Sequence, residues 1–359
     1  MHIIYLYDVD GWALHNIGLL LQPVFEGIGE QFTLLPISEY RRTPIACDIL
    51  YLSYSGLLLP SDDFRHFARD VICTIHDPLE ISHFTDRFEW RAEPLRRVDF
   101  SHYDRISATT HDMFTALRDG YRAPPLYRTP TFPHDVEAIR AAILPRSSTE
   151  PIRFFAATIA WPYISWGRVV RRLARIREYL QDSYGSWSWR QLRSLVIRVN
   201  RKNIPLLERI SAALAGRRGV EVNFLRARSV TLTLPRDEYL KLLTNADVYV
   251  CTSFVEGGPL PVMEAVIAGA AVLTTRVGQV EDWVLHGENG FVCHSYDDFM
   301  RCIEAYLSDP QLLREHQARS AMIGRAVRFD SRPWLEFVLG QAPSLDDGKY
   351  ESRTRRGES

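Results

Sequence analysis

Short apolar runs recur along the chain with helix-length segments between them, and that alternation leaves few folds open. His2 to Tyr7 (HIIYLY), Phe32 to Pro36, Asp48 to Tyr54 (DILYLSY), Val71 to Ile75 (VICTI) and Arg105 to Ala108 read as strands. They are nearly continuous in apolar residues, so both faces must be covered, as in a parallel sheet flanked by helices. A polar stretch with a proline at each end, Pro145 to Pro151, then has the composition of a linker. Beyond it a second series runs through Arg153 to Ala157, Ser194 to Val199, Val220 to Leu225, Asp247 to Cys251, Ala271 to Thr274 and Gly290 to Cys293. Helical spacing separates these runs too, for instance at Val169, Leu173, Ile176 and Leu180. The expectation is an α/β chain of two similar parallel-sheet domains, 1–147 and 152–327, facing a central cleft. A closing segment, 328–340, would return to the first domain, and the tail 341–359, almost free of apolar residues, would be disordered. Open parallel sheets bind ligands beyond the carboxyl ends of their strands, so function belongs in the loops that follow strands.

The charge balance excludes some classes. With 43 Lys and Arg against 44 Asp and Glu, the net charge of −1 rules out a chain that holds nucleic acid by bulk charge. Apolar residues make up 46% of the 359, enough for two sizeable cores. The first Lys or Arg is Arg41, so no basic region opens a secretory signal. The uncharged stretch 11–25 contains His15, Asn16 and Gln22 and falls short of the roughly 20 residues of a membrane span. Cys47, Cys73, Cys251, Cys293 and Cys302 are widely spaced, without a CxxC pair, which predicts reduced thiols. A cytoplasmic protein is expected, with a position peripheral to the membrane as the alternative.

The most informative stretch is Asp247 to Gly269, DVYVCTSFVEGGPLPVMEAVIAG. A strand should end near Cys251, a Gly-Pro turn follow, and a helix run from about Pro261 to Gly269, a C-cap glycine. Gly257 and Gly258 remove side chains at the strand-to-helix turn, where backbone N–H groups can approach an anionic or polyhydroxylated ligand. Glu264, one turn into the helix, can accept two hydrogen bonds from a vicinal diol such as ribose. It can equally serve as an acid balancing the helix dipole. The residues alone leave both readings open.

From Leu234 to Cys293 the chain resembles the donor half of glycosyltransferase family 4, the retaining transferases of GT-B architecture with two Rossmann-like domains. The resemblance rests on a helix opened by Pro235 and acids, a strand, the Glu256-x7-Glu264 loop and helix, a further strand, a turn at Gly278 and the Asn289-Gly290 turn. His76-Asp77 after VICTI is similar to the family's cleft His-Asp pair. Pro133-His134-Asp135-Val136 stands where NGVD is common, and Arg328 to Phe337 resembles the closing segment. Gly11, in Asp10-Gly11-Trp12, stands where relatives carry a glycine-rich phosphate loop.

The resemblance implies a glycosyltransferase that moves a sugar from a nucleotide-diphosphate donor to a hydroxyl acceptor with retention, and that uses no metal and no cofactor. His76, Asp77 and Glu256 would be its catalytic residues, with Glu256 on the sugar hydroxyls. Gly257, Gly258, Pro259 and Leu260 would supply backbone donors, and Glu264 would bind ribose. The acceptor could be a saccharide, a lipid-linked species or a secondary metabolite. One departure stands out. Where relatives carry an Arg and a Lys for the diphosphate, this chain offers Thr158 and Trp166, so either another cation substitutes, with Arg168, Arg201 and Lys202 the candidates, or catalysis is weak or absent.

Other signals compete. Asp8-Val9-Asp10 is a DxD, a metal signature of a different transferase architecture. Residues 161–202 hold ten Lys or Arg against two Asp or Glu with four tryptophans interleaved, a face that could meet an anionic partner. Two further readings therefore stand beside the first. One is a non-catalytic GT-B sensor of nucleotide sugars or an assembly partner. The other is a transferase acting on a modified nucleic-acid base or a membrane lipid.

Overall fold

A computed structural model of the chain describes residues 1–8, 10, 13–57, 62–76, 100–120, 124–133, 135–143, 151–159, 201–227 and 234–342. The expected strand Ser194 to Val199, the helical pattern 169–180, the basic face 161–200, nearly all of the linker and the tail beyond 342 lie outside these residues. So do Gly11, Asp77 and Arg168.

The first sheet contains β1 (His2–Tyr7), β2 (Gln31–Pro36), β3 (Cys47–Leu52), β4 (Ala68–Ile75), β5 (Arg105–Ala108) and β6 (Leu126–Arg128), in the order β2-β1-β3-β4-β5-β6. All neighbours are parallel. Helices α1 (Ala13–Gly27), α2 (Ile37–Arg42), α3 (His111–Gly120) and α4 (Val136–Ala141) belong to this part of the chain. The second sheet contains β7 (Ile152–Ile159), β8 (Val220–Ala227), β9 (Val248–Cys251), β10 (Ala271–Thr274) and β11 (Gly290–Val292), ordered β11-β10-β9-β7-β8 and again parallel. Around it lie α5 (Ile204–Leu214), α6 (Arg236–Asn245), α7 (Leu260–Ile267), α8 (Val280–Trp283), α9 (Tyr296–Ser308) and α10 (Pro310–Ala326).

Strand periodicity builds a core on each side of each sheet. In β1, Ile3, Tyr5 and Tyr7 enter one cluster while Ile4 and Leu6 enter the other. In β10, Ala271 and Leu273 face one way and Val272 the other. Because both faces are packed, the runs read as continuous in sequence. β6 escaped the sequence reading because only three residues, Leu-Tyr-Arg, pair with β5. β4 starts at Ala68, earlier than its apolar run, because Ala68 pairs with Cys47.

Two crossings tie the sheets together. Helix α11 (Arg332–Leu339) buries Trp334, Phe337 and Val338 against Tyr5, Tyr51 and Tyr127 of the first sheet. Arg105 of β5 caps it by donating to the carbonyls of Phe337 and Val338, each at 3.0 Å. In the other direction, Ile139 of α4 enters the core of the second sheet. Arg140 of the same helix donates to the carbonyls of Gly324 and Val327 at 2.6 and 2.9 Å.

Candidate active site

The loop after β9 carries Glu256, whose side chain is only 9% exposed. Its Oε1 pairs with Lys202 Nζ and accepts a hydrogen bond from Ser253 Oγ at 2.9 Å. Lys202 reaches this position because the turn Arg201-Lys202 is stitched to the same loop. Phe254 N–H donates to the Arg201 carbonyl at 2.6 Å, and Thr252 Oγ1 donates to the Lys202 carbonyl at 3.1 Å. Asn203, in the left-handed region at φ 48°, then turns the chain into α5. Burial pushes the Glu256 carboxyl up. The charges of Lys202 and Arg201 and the bonds from Lys202 and Ser253 outweigh it, leaving its pKa below the usual value.

An opening of about 350 Å³, solvent included, adjoins this pair at the carboxyl ends of β7 and β9. Ala157, Thr158, Lys202, Thr252, Glu256 and Pro261 are among its walls. Thr158 Oγ1 is screened from water and has no hydrogen-bond partner among the described residues. A hydroxyl at this position can bond a ligand oxygen but cannot neutralise it; among the described residues that wall the opening, Lys202 is the cation.

Glu264, its side chain 8% exposed, is held at both oxygens. Arg236 Nη2 donates to Oε1 at 2.8 Å and Tyr239 Oη to Oε2 at 2.6 Å. Arg236 also forks onto Asp135, with both contacts at 2.7 Å. Burial raises the Glu264 pKa; Arg236 and the bond from Tyr239 pull against it, and Asp135 adds to the rise, so the value stays above the ordinary one.

The glycines have a packing reason beyond the one expected from sequence. A Cβ on Gly257 would lie 1.4 Å from the carbonyl oxygen of His76, and one on Gly258 would lie 1.8 Å from Thr131 Oγ1. Gly278, at φ +54°, brings its turn against the Gly257 carbonyl, which accepts Gln279 N–H at 3.1 Å. Gln279 Oε1 in turn accepts Thr131 N–H at 3.0 Å. The glutamate loop therefore sits directly on the strand ends of the first sheet.

Among the expected loop donors, Pro259 has no N–H and Leu260 N–H is spent on the Gly258 carbonyl at 2.8 Å. The backbone donors of the loop narrow to Gly257 and Gly258, which corrects the expectation for the other two. Helix α7 starts with Pro261 in its first turn and ends ahead of Gly269, at φ +76°, as the sequence suggested.

His76 directly follows β4, beside Gly257, and burial of its ring pushes its pKa down to about 3, so the ring is neutral. Asp10 Oδ1 accepts Tyr7 Oη at 2.6 Å. No group of three or more His, Cys, Asp or Glu among the described residues is arranged to hold a metal. No helix among them is long and apolar enough to cross a membrane. All five cysteines are free thiols.

Arg236, Tyr239 and Ser253 were not singled out from sequence, and Asp135 entered only as part of the Pro133-to-Val136 motif, without a link to Glu264. One signal was available for Arg236: it is a cation in the first turn of α6, where the dipole favours acids such as its neighbours Asp237 and Glu238.

Residues 225–325, which contain both glutamates, α6 to α9 and all but the last residue of α10, match the family model for glycosyl transferases group 1. The chain as a whole is similar to HepE of Anabaena, solved in complex with UDP-glucose. Their identity is 16%, the match covers 90% of this chain and 94% of that one, and the TM-score is 0.55. The architecture is GT-B. A sucrose-phosphate synthase from Thermosynechococcus elongatus shares this GT-B fold at 14% identity over 95% of this chain and 97% of that one, with a TM-score of 0.54. A glycosyltransferase from Rickettsia africae does so at 10% identity over 90% and 93%, with a TM-score of 0.51. No curated protein sequence matches the chain.

Proposed function

We propose that the protein is a retaining glycosyltransferase of family 4 that moves a sugar from a nucleotide-diphosphate donor to a hydroxyl acceptor. The observation that carries this reading is the pair of buried glutamates flanking one loop at the carboxyl end of β9, each backed by its own cation, Lys202 for Glu256 and Arg236 for Glu264. A buried carboxylate is costly unless it is paired. Two of them with seven residues between, Glu256 walling the strand-end opening and Glu264 one turn into α7, make a polar site suited to hydroxyl-rich ligands. The match to a glycosyl transferase family model and the likeness to a fold solved with UDP-glucose point the same way.

In this reading the donor lies on the second sheet. Glu264 accepts from the ribose diol and Glu256 from the sugar hydroxyls. Lys202 and Arg201 offset the charge that builds on the diphosphate as the glycosidic bond breaks. Thr158 Oγ1 donates to a donor oxygen, which would satisfy an otherwise orphaned hydroxyl. The acceptor enters from the first sheet past neutral His76, and the departing phosphate oxygen takes the acceptor proton. Protein cations do the work that a metal does elsewhere, so the reaction runs without one. Free thiols suit a cytoplasmic setting.

The test is a thermal-shift screen of nucleotide sugars, followed by measuring nucleoside diphosphate release from each ligand that binds. A ligand present at 100 times its Kd adds about 2.7 kcal/mol to stability. Binding with release supports the transferase. Binding with no turnover on any acceptor would favour the non-catalytic sensor instead.

A further inference from the structure

Arg236 stands where helix physics disfavours it and is held there by two carboxylates. It lies in the first turn of α6, and its guanidinium bridges Glu264 on α7 and Asp135 in the segment that leads from the first sheet into α4. Its side chain is 38% exposed, against 8% for Glu264 and 14% for Asp135, so it is the outermost member of the cluster. Tyr239 closes the other side of Glu264, and its ring lies 5.0 Å beneath the Arg236 guanidinium. Each carboxylate oxygen can accept two hydrogen bonds. The one Arg236 makes to Oε1 and the one Tyr239 makes to Oε2 fix the plane of the carboxylate and leave acceptor capacity for a further pair of donors.

We propose that Arg236 is a positioning residue for nucleotide binding: by bridging Glu264 and Asp135 it aims the Glu264 carboxylate, and it ties that aim to the segment joining the two sheets. The inference rests on the reading of Glu264 as the ribose-binding group. Without Arg236, two carboxylates would face each other at a partly buried site with no cation between them. An opposite charge at this range lowers a carboxyl pKa by about 1 to 3 units. Its loss would therefore move Glu264 further above its already raised value. The groups facing Glu264 among the described residues are Arg236 and Tyr239 from α6, Asp135 from the segment ahead of α4, and Tyr249 from β9. Of these, only Arg236 is a cation.

The experiment measures the Kd of the tightest binder among UDP, GDP and ADP from pH 6 to 9, for the unmodified protein, Arg236→Gln and Arg236→Lys. Titration of the ligand is common to all curves and cancels in their ratios. The expected result is a loss of about ten-fold or more in Arg236→Gln at pH 6.5, narrowing as pH rises and Glu264 ionises without help. Arg236→Lys should keep the native pH profile while losing affinity about three-fold or more, because an ammonium cannot fork onto two carboxylates. Curves for Arg236→Gln that run parallel to the native one at all pH values would overturn the proposal. If Arg236→Gln does not fold, Arg236→Lys decides alone, and native affinity in it overturns the proposal. Failure of the unmodified protein to bind any of the three nucleotides would instead sink the underlying reading of Glu264, and this proposal with it.

Discussion

Lys202→Met takes the paired cation from a carboxylate that stays buried and leaves it the charge of Arg201, which still lowers its pKa. Breaking a buried ion pair from one side costs about 3 to 5 kcal/mol. Lys202 is 23% exposed and Ser253 keeps its bond to Glu256, so the cost here should be about 2 to 3 kcal/mol. For a cooperative unit of about 150 to 250 residues, each kcal/mol shifts Tm by about 2 to 4 °C, so the variant should melt about 4 to 12 °C lower at pH 7. The pH dependence gives a sharper check. In the native protein the Glu256 pKa is lowered, so its contribution is present above the unfolded carboxylate value and is lost as pH falls through the folded one. In the variant burial dominates and the folded pKa rises above the unfolded value. The protonated form then fits the site below the unfolded pKa, and stability is lost as pH rises through the folded pKa. The stability gap between the two proteins should therefore be small near pH 4 and widen towards pH 7, as read by urea unfolding across that range. Lys202→Met combined with Glu256→Gln should recover more than half of the loss. A gap that is constant with pH, or smaller than about 0.5 kcal/mol at pH 7, would refute the reasoning.

Gly257→Ala should leave nucleotide affinity within a few-fold and lower turnover about 100-fold. The new Cβ must move from 1.4 Å to at least 3.0 Å from the His76 carbonyl, and misplacing reacting groups by about 1 Å costs about that much in rate. Steady-state kinetics giving turnover within two-fold of native would show that the contact between the sheets does not position the reaction. Activity should also survive an excess of EDTA in an endpoint transfer assay. Loss on chelation with recovery on adding Mg²⁺ would bring Asp8 and Asp10 into the site.

How much could be read beforehand depended on whether an interaction is local in sequence. The parallel strands were legible because burial on both faces writes an unbroken apolar run, as in HIIYLY. The Glu256 loop and α7 were legible because turn glycines, a first-turn proline and the cap Gly269 fall within one short stretch. β6 was not, since three residues between prolines carry no periodicity. The partners of the glutamates were hidden for a different reason. Arg236 and Glu264 are separated by 28 residues, Lys202 and Glu256 by 54, and Arg236 and Asp135 by 101. Pairing over such distances is set by how the sheets stack. The glycine loop shows the same limit: its sequence suggested room for a ligand, while the space beside Gly257 and Gly258 is filled by His76 and Thr131.

The central claim is that the second sheet holds a nucleotide-sugar donor through Glu264. Calorimetric titration of the best-binding nucleotide sugar tests it most directly, comparing the unmodified protein with Glu264→Gln and with the combined Asp8→Asn, Asp10→Asn variant. Charge-assisted hydrogen bonds are worth about 1.5 to 3 kcal/mol, so Glu264→Gln should bind about ten-fold or more weakly. The first-sheet variant should bind as the native protein does. Native affinity in Glu264→Gln, or affinity lost on changing Asp8 and Asp10 alone, would contradict the account.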